Sequence, residues 1–167
     1  YYSNPKELLE KVLTDVPDWQ ESVEVSEGMF RKNIPFFPRE VVRELVVNAL
    51  VHRTYTTRGD IFINIFPDRM EIHSPGRLPF GVTPKNILSQ SIRRNEHLSK
   101  VFYDLGLMEK EGSGYDLIYA KLLGSGKPLP IVKETDDRVT VIVKKQFVSK
   151  EVVRLLDKAS NEFSLKQ

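Results

Sequence analysis

Glu44, Asn48 and His52 follow one another at four-residue steps, a spacing that puts a carboxylate, a carboxamide and an imidazole on one stripe of a helix. Six of the seven residues from Leu45 to Val51 are apolar, with Asn48 the exception. So dense a run exceeds one face of a surface helix and fits a helix enclosed on nearly all sides. A carboxylate and a carboxamide buried along a line need partners, water or a ligand, because an unpaired buried amide costs about 1 to 3 kcal/mol and a charge more. The stripe is therefore a candidate site. The competing reading is a helix whose few polar residues face water along one edge.

Two loops carry further chemistry. Glu111-Gly112-Ser113-Gly114 is a glycine-rich turn leading into the amphipathic run Tyr115 to Leu123. At such a helix N-terminus, free N–H groups and the helix dipole favour phosphate; a plain turn between helices is the other reading. Ser74 to Val82 is rich in Gly and Pro, and a loop of this kind can bring backbone close to a ligand. Gly124-Ser125-Gly126-Lys127 is not a phosphate-binding P-loop, since Lys121 stands where glycine is required and Pro128 where a hydroxyl is required. Gly112-Ser113-Gly114 lacks the third glycine of a dinucleotide fingerprint, Leu117 taking that place. His52, His73 and His97 have no metal-ligand spacing.

The elements that must position these groups follow from local patterns. Asn4 caps a short amphipathic helix with Pro5 at its first position and Leu8, Leu9, Val12 and Leu13 at helical spacing. Trp19 to Met29 alternates loosely as a strand, Gly28 marks a turn, and Asn33 to Pro38 reads as a loop. Pro38 suits the first position of the central helix. Ile61 to Phe66 and Met70 to Ser74 alternate around Pro67-Asp68-Arg69, predicting a hairpin. Thr83 to Leu88 predicts a short helix, His97 to Leu105 another stopped by Gly106, and Tyr115 to Leu123 a third closed by Gly124. Leu129 to Lys133 and Arg138 to Lys144 predict a second hairpin. A last helix is expected over Lys150 to Lys158.

Composition sets the outer bounds. The chain has 167 residues, 40% hydrophobic and 29% charged, which is ordinary for a globular domain. It has no cysteine, which excludes a disulfide framework and thiolate zinc sites and is compatible with a reducing cytoplasm. No apolar run approaches the roughly 18 residues of a membrane span. A net charge of +2 gives little attraction for polyanions. Residues 1–147 are expected to form one domain, and 148–167 to begin a further C-terminal region of a longer polypeptide.

An ordered set of motifs carries a resemblance. It comprises Glu-x-x-x-Asn-Ala-Leu-Val-His-Arg at 44–53, Asp-Arg-Met-Glu-Ile-x-Ser-Pro-Gly-x-Leu-Pro at 68–79, Gly-Val-Thr-Pro at 81–84, Arg-Asn at 94–95 and Leu-x-x-x-x-Gly-Ser-Gly at 107–114 in outline. Together these resemble the histidine-kinase-like ATPase domain of bacterial and archaeal transcriptional regulators, in which it typically follows an AlbA-type (Schlafen-like) DNA-binding domain and precedes a winged helix. Some such proteins are labelled RecG-helicase-related. The likeness spans roughly residues 20 to 145.

The resemblance implies an α+β fold of Bergerat type, a two-layer α/β sandwich with a mixed sheet backed by helices. It also implies ATP and Mg²⁺ as cofactors. Asn48 would ligate the Mg²⁺ that bridges the phosphates, and Glu44 would polarise the attacking water. Ser74, Gly76 and Leu78 fall where the superfamily has Asp-x-Gly-x-Gly, whose aspartate accepts from the adenine amino group. Gly112, Ser113 and Gly114 match the glycine box that wraps the phosphates. His52 and Arg94 complete the expected nucleotide-contacting set. Thr54 replaces the aspartate usual in this family's His-Arg-Asp-Tyr. Arg93, Arg94 and Lys100 are read either as a solvated face or as a lid over phosphates.

Two functions stay open on this reading. One is an ATP–Mg²⁺-binding regulatory domain with slow hydrolysis, reaching DNA through domains outside this segment. The other is a degenerate module that keeps the fold as a homodimerisation or spacing domain. The expected setting is the cytoplasm, with no membrane partner. A helicase motor is not expected, because the segment has no Walker motif and is too short for two motor domains.

Overall fold

The computed structural model describes residues 4–27, 30–87, 90, 92–108 and 114–148. The first helix, α1 (Pro5–Asp15), follows Asn4, whose side chain accepts the Glu7 N–H at 2.9 Å. Pro5 fills a first-turn position that needs no N–H donor. A short 3-10 turn, Pro17–Gln20, then sets Trp19 edge-on against Phe37 with ring centroids 5.9 Å apart. The Trp19 indole donates to the Val12 carbonyl at 2.8 Å, so the ring is both buried and satisfied.

Strands β1 (Ser22–Glu27) and β2 (Phe30–Pro35) form a two-stranded antiparallel sheet. The loop expected from Asn33 onward is therefore strand as far as Pro35. Each residue from Asn33 to Pro35 has a partner on β1, Ser22 pairing with Pro35, and the Phe36 N–H continues inward to the Glu21 carbonyl at 2.9 Å. A local loop signal gives way where a partner strand is available to take the backbone groups. The predicted turn residue Gly28 lies outside the described residues.

The central helix α2 (Arg39–His52) has Pro38 as its N-cap, so it begins one residue after the start expected at Pro38. Val41, Val42, Leu45, Val46, Val47, Ala49 and Val51 are all buried, so the helix is enclosed on nearly every side. It packs on α1, on α4 (Gly114–Gly124) and on strand β4 (Arg69–Pro75). The last helix to place, α3 (Glu96–Asp104), buries Ser99 and Phe102.

The second sheet has four strands in the order β3-β4-β6-β5, with β3 at Phe62–Ile65, β5 at Ile131–Glu134 and β6 at Arg138–Lys144. Every strand pairing among the described residues is antiparallel. The two predicted hairpins are thus joined edge to edge through β4 and β6. Alternation along β4 buries Met70 and Ile72 beneath the helices, while Glu71 and His73 face the opposite side. The result is the expected α+β class, helices layered over one face of an antiparallel sheet.

The short helix expected over Thr83 to Leu88 is a series of turns through 87. Here the Thr83 N–H donates to the Asn86 side-chain oxygen at 2.6 Å, the Asn86 N–H to the Thr83 hydroxyl at 3.3 Å, and the Asn86 amide to the Gly81 carbonyl at 2.9 Å. Side chains that bond local backbone in this way compete with helical hydrogen bonds. Leu88, and the helix expected over Lys150 to Lys158, lie outside the described residues.

Candidate functional site

The site is built on α2, whose C-terminal end is fixed by side chains. The Asn95 amide donates to the carbonyls of Val51 at 2.7 Å and Arg53 at 2.8 Å, and the Tyr55 hydroxyl donates to Leu50 at 2.8 Å. These bonds occupy carbonyls that a helix end leaves without intrahelical partners. The last turn, carrying His52, is therefore held in place from α3's side.

A cavity opens between α2, the inward faces of β4 and β6, the loop after β4 and the start of α4. Glu44, Asn48 and His52 line one wall, Ser74 and Leu78 another, and Gly114 the far side. Six of the residues named from sequence thus meet in one place. Glu44 is 2% exposed. The Asn48 Nδ2 is buried with no hydrogen-bond partner among the described residues. Gly114 lies hard against both: a Cβ there would overlap the Glu44 carboxylate and sit 3.5 Å from Asn48 Nδ2. A side chain here would fit only if the Glu44 carboxylate moved aside.

The remaining named residues are placed differently. Gly76 is buried behind the loop and does not line the cavity. Its φ of +94° and its approach to Thr54, whose Cβ would be 2.5 Å from an added methyl, both require glycine. Its N–H donates to Asp137 O at 2.8 Å, pinning the loop to the turn between β5 and β6. Arg94 also lies outside the cavity. It donates to the Thr54 hydroxyl and to the Arg77 carbonyl, so it braces the loop instead of projecting over the cavity. Gly112 and Ser113 lie outside the described residues.

Several lining residues were not named from sequence. Arg77 is one of them, its guanidinium facing Glu134 at 3.7 Å and Asp136 at 3.5 Å; Arg93, read from sequence as a solvated face or a lid over phosphates, lines the cavity as well. Ile72, Val139 and Val141 form an apolar sheet floor continued by Leu78, Pro79, Val82 and Ile87. The alternation of β4 and β6 carried the signal for the floor; nothing local marked Arg77. Tyr115, next to Gly114, also lines the cavity. Burial raises its phenol pKa, with smaller contributions from Tyr119 and the neighbouring Glu44.

The His52 pKa is lowered, first by burial and then by the charges of Arg94 and Arg93, so the imidazole is held toward its neutral form. Among the described residues no cluster of three or more His, Asp or Glu could cage a metal ion. What the cavity offers a cation is oxygen from Asn48 and Glu44, a hard-ligand set.

Residues 59–143 match the family described as "Putative ATP-dependent DNA helicase recG C-terminal". The chain belongs to that family. It carries a RecG-related, ATPase-like domain, and the matched span holds the four-stranded sheet up to Val143, the loop after β4 and Gly114. The stripe on α2 lies before it. The crystal structure of the DIP2311 protein from Corynebacterium diphtheriae is similar, with a TM-score of 0.80 and 28% identity over 89% of this chain. The chain spans 31% of that protein's length. No curated protein is significantly similar to it. Among the described residues no helix is long and apolar enough to cross a membrane.

Proposed function

We propose that this segment is an ATP–Mg²⁺-binding regulatory domain of a larger DNA-binding transcriptional regulator, with slow ATP hydrolysis. The observation that carries the reading is the buried Asn48 Nδ2, without a hydrogen-bond partner among the described residues, beside Glu44 and Gly114. A buried donor left without an acceptor costs about 1 to 3 kcal/mol, and a phosphate oxygen would remove that cost.

The residues fit nucleotide and Mg²⁺ together. When bound, Mg²⁺ would offset phosphate charge, and as a hard cation it would take oxygen ligands. Asn48 would give its carbonyl oxygen to the cation, a site that needs no carboxylate cage. Glu44 would orient a water and take its proton. Arg93, which also lines the cavity, would supply a charge-assisted contact to phosphate. The base would lie on the apolar floor. DNA contact is assigned to domains outside this segment, which acts in this reading as a nucleotide-responsive module and not as a motor.

A melting experiment tests it. Ligand at about 100 times Kd adds about 2.7 kcal/mol to the folded state, worth roughly 5 to 10 °C in a domain of this size. ATP with Mg²⁺ is expected to raise Tm by that order. No shift at millimolar ATP–Mg²⁺ would return the segment to the structural reading, a dimerisation or spacing domain.

A further inference from the structure

The cavity has two chemically distinct ends. Near Gly114 stand Glu44 and Asn48, the groups suited to phosphate and cation. Toward the sheet the wall is apolar on both sides. Ile72 pairs with Val141 and Ser74 with Val139 across β4 and β6, and all four line the cavity beneath Leu78 and Pro79. The apolar lining of this slot suits the faces of a flat ring system. Within the slot, Ser74 is the polar side chain of the sheet floor.

The Ser74 hydroxyl donates to the Ala49 carbonyl over 3.4 Å, a long bond. It is neutral, and its proton can rotate between that carbonyl and the cavity. The carboxylates are placed elsewhere. Glu44 precedes Ala49 by five residues on α2 and faces Gly114, roughly 7.5 Å further along the axis. Glu134 is not a lining residue; it accepts from the Leu78 N–H at 2.9 Å and faces Arg77 at 3.7 Å.

We infer that the ring slot takes purine nucleoside triphosphates without distinguishing a 6-amino from a 6-oxo substituent, Ser74 accepting from the first and donating to the second. This rests on the nucleotide-binding reading of the same cavity. Strong rejection of an analogue arises where a fixed donor or acceptor is left unpaired by the wrong substituent. A reorientable hydroxyl leaves neither unpaired, so discrimination stays within about tenfold.

The test is calorimetric titration of the protein with ATP–Mg²⁺, GTP–Mg²⁺ and inorganic tripolyphosphate with Mg²⁺. ATP and GTP are expected to bind within about tenfold of each other, and both more tightly than tripolyphosphate. A preference for either purine beyond about tenfold overturns the inference while leaving nucleotide binding intact. Tripolyphosphate binding as tightly as ATP overturns it too, since the ring would then add nothing. Absence of binding by all three removes the nucleotide reading and this inference with it. In Ser74→Asp the fixed acceptor is expected to shift the ratio toward ATP by at least tenfold; a folded variant with an unchanged ratio would place the ring elsewhere. The comparison in the parent protein stands even if that variant does not fold.

Discussion

The Cα of Gly114 and the carboxylate of Glu44 are so close that a methyl group on the glycine would overlap the acid, lying 3.2 Å from its Cδ and 3.5 Å from Asn48 Nδ2. The first turn of α4 is thus closed onto the polar stripe of α2. Gly114→Ala is expected to push Glu44 aside, lowering stability by about 1 to 3 kcal/mol as overpacking does, and to abolish the ATP–Mg²⁺ melting shift. An alanine variant with parental Tm and a full shift would show that the contact is not needed for the site.

The proposed function assigns separable roles to the acid Glu44 and the amide Asn48 on α2. Asn48→Ala removes the oxygen and the partnerless amide, so the Mg²⁺-dependent part of the melting shift should disappear. Glu44→Gln keeps the size of the side chain but cannot take a proton from water, so binding should persist and phosphate release from ATP should stop. Measuring both readouts on both variants checks the assignment. A shift that survives Asn48→Ala would place the nucleotide elsewhere.

His52 gives the domain an acid-sensitive term. Its folded pKa lies below 6.5 because of burial, with Arg94 and Arg93 adding to the effect. As pH falls through 6.5 the unfolded chain takes the proton first, so the stability contribution present above that pH is progressively lost below it. His52→Gln is expected to lose less stability than the parent between pH 6.5 and pH 5, measured by denaturant midpoint. Parallel curves for the two proteins would show that this imidazole does not drive the loss.

Lys127 gives the opposite end of the scale. It is fully buried, donates to the Lys145 carbonyl at 2.9 Å and lies over the Phe147 ring at 4.2 Å. Burial pushes its pKa down to about 8. Between about pH 8 and its unfolded value of 10.5, the unfolded chain holds the proton that the folded chain releases, so this group makes stability rise with pH across that window. Lys127→Met should remove that rise and be neutral or stabilising near pH 7, as replacements of buried charge often are. Urea melts of both proteins at pH 7 and pH 9.5 provide the check; an identical pH response would show that Lys127 is not titrating in the window.

Much of the framework was legible because its signals are local. The Asn4 cap, the apolar density from Leu45 to Val51, the alternation of Ile61 to Phe66 and of Arg138 to Lys144, and Gly106 and Gly124 at helix ends each act over a few residues. The four-residue stripe of Glu44, Asn48 and His52 was legible for the same reason. Tertiary structure decided whatever depended on a distant partner. Asn33 to Pro35 became strand because Ser22 to Glu24 lay opposite them. Arg94 became a brace because Thr54, 40 residues away, offered its hydroxyl. Lys127, whose burial no local signal marked, is covered by Phe36 and Phe147 arriving from other parts of the chain. Gly114 was a turn residue by sequence alone; the packing of α4 on α2 made it the wall that fits against Glu44. Periodicity along a chain states which face is buried, whereas the identity of the group across the gap is fixed only when the elements pack.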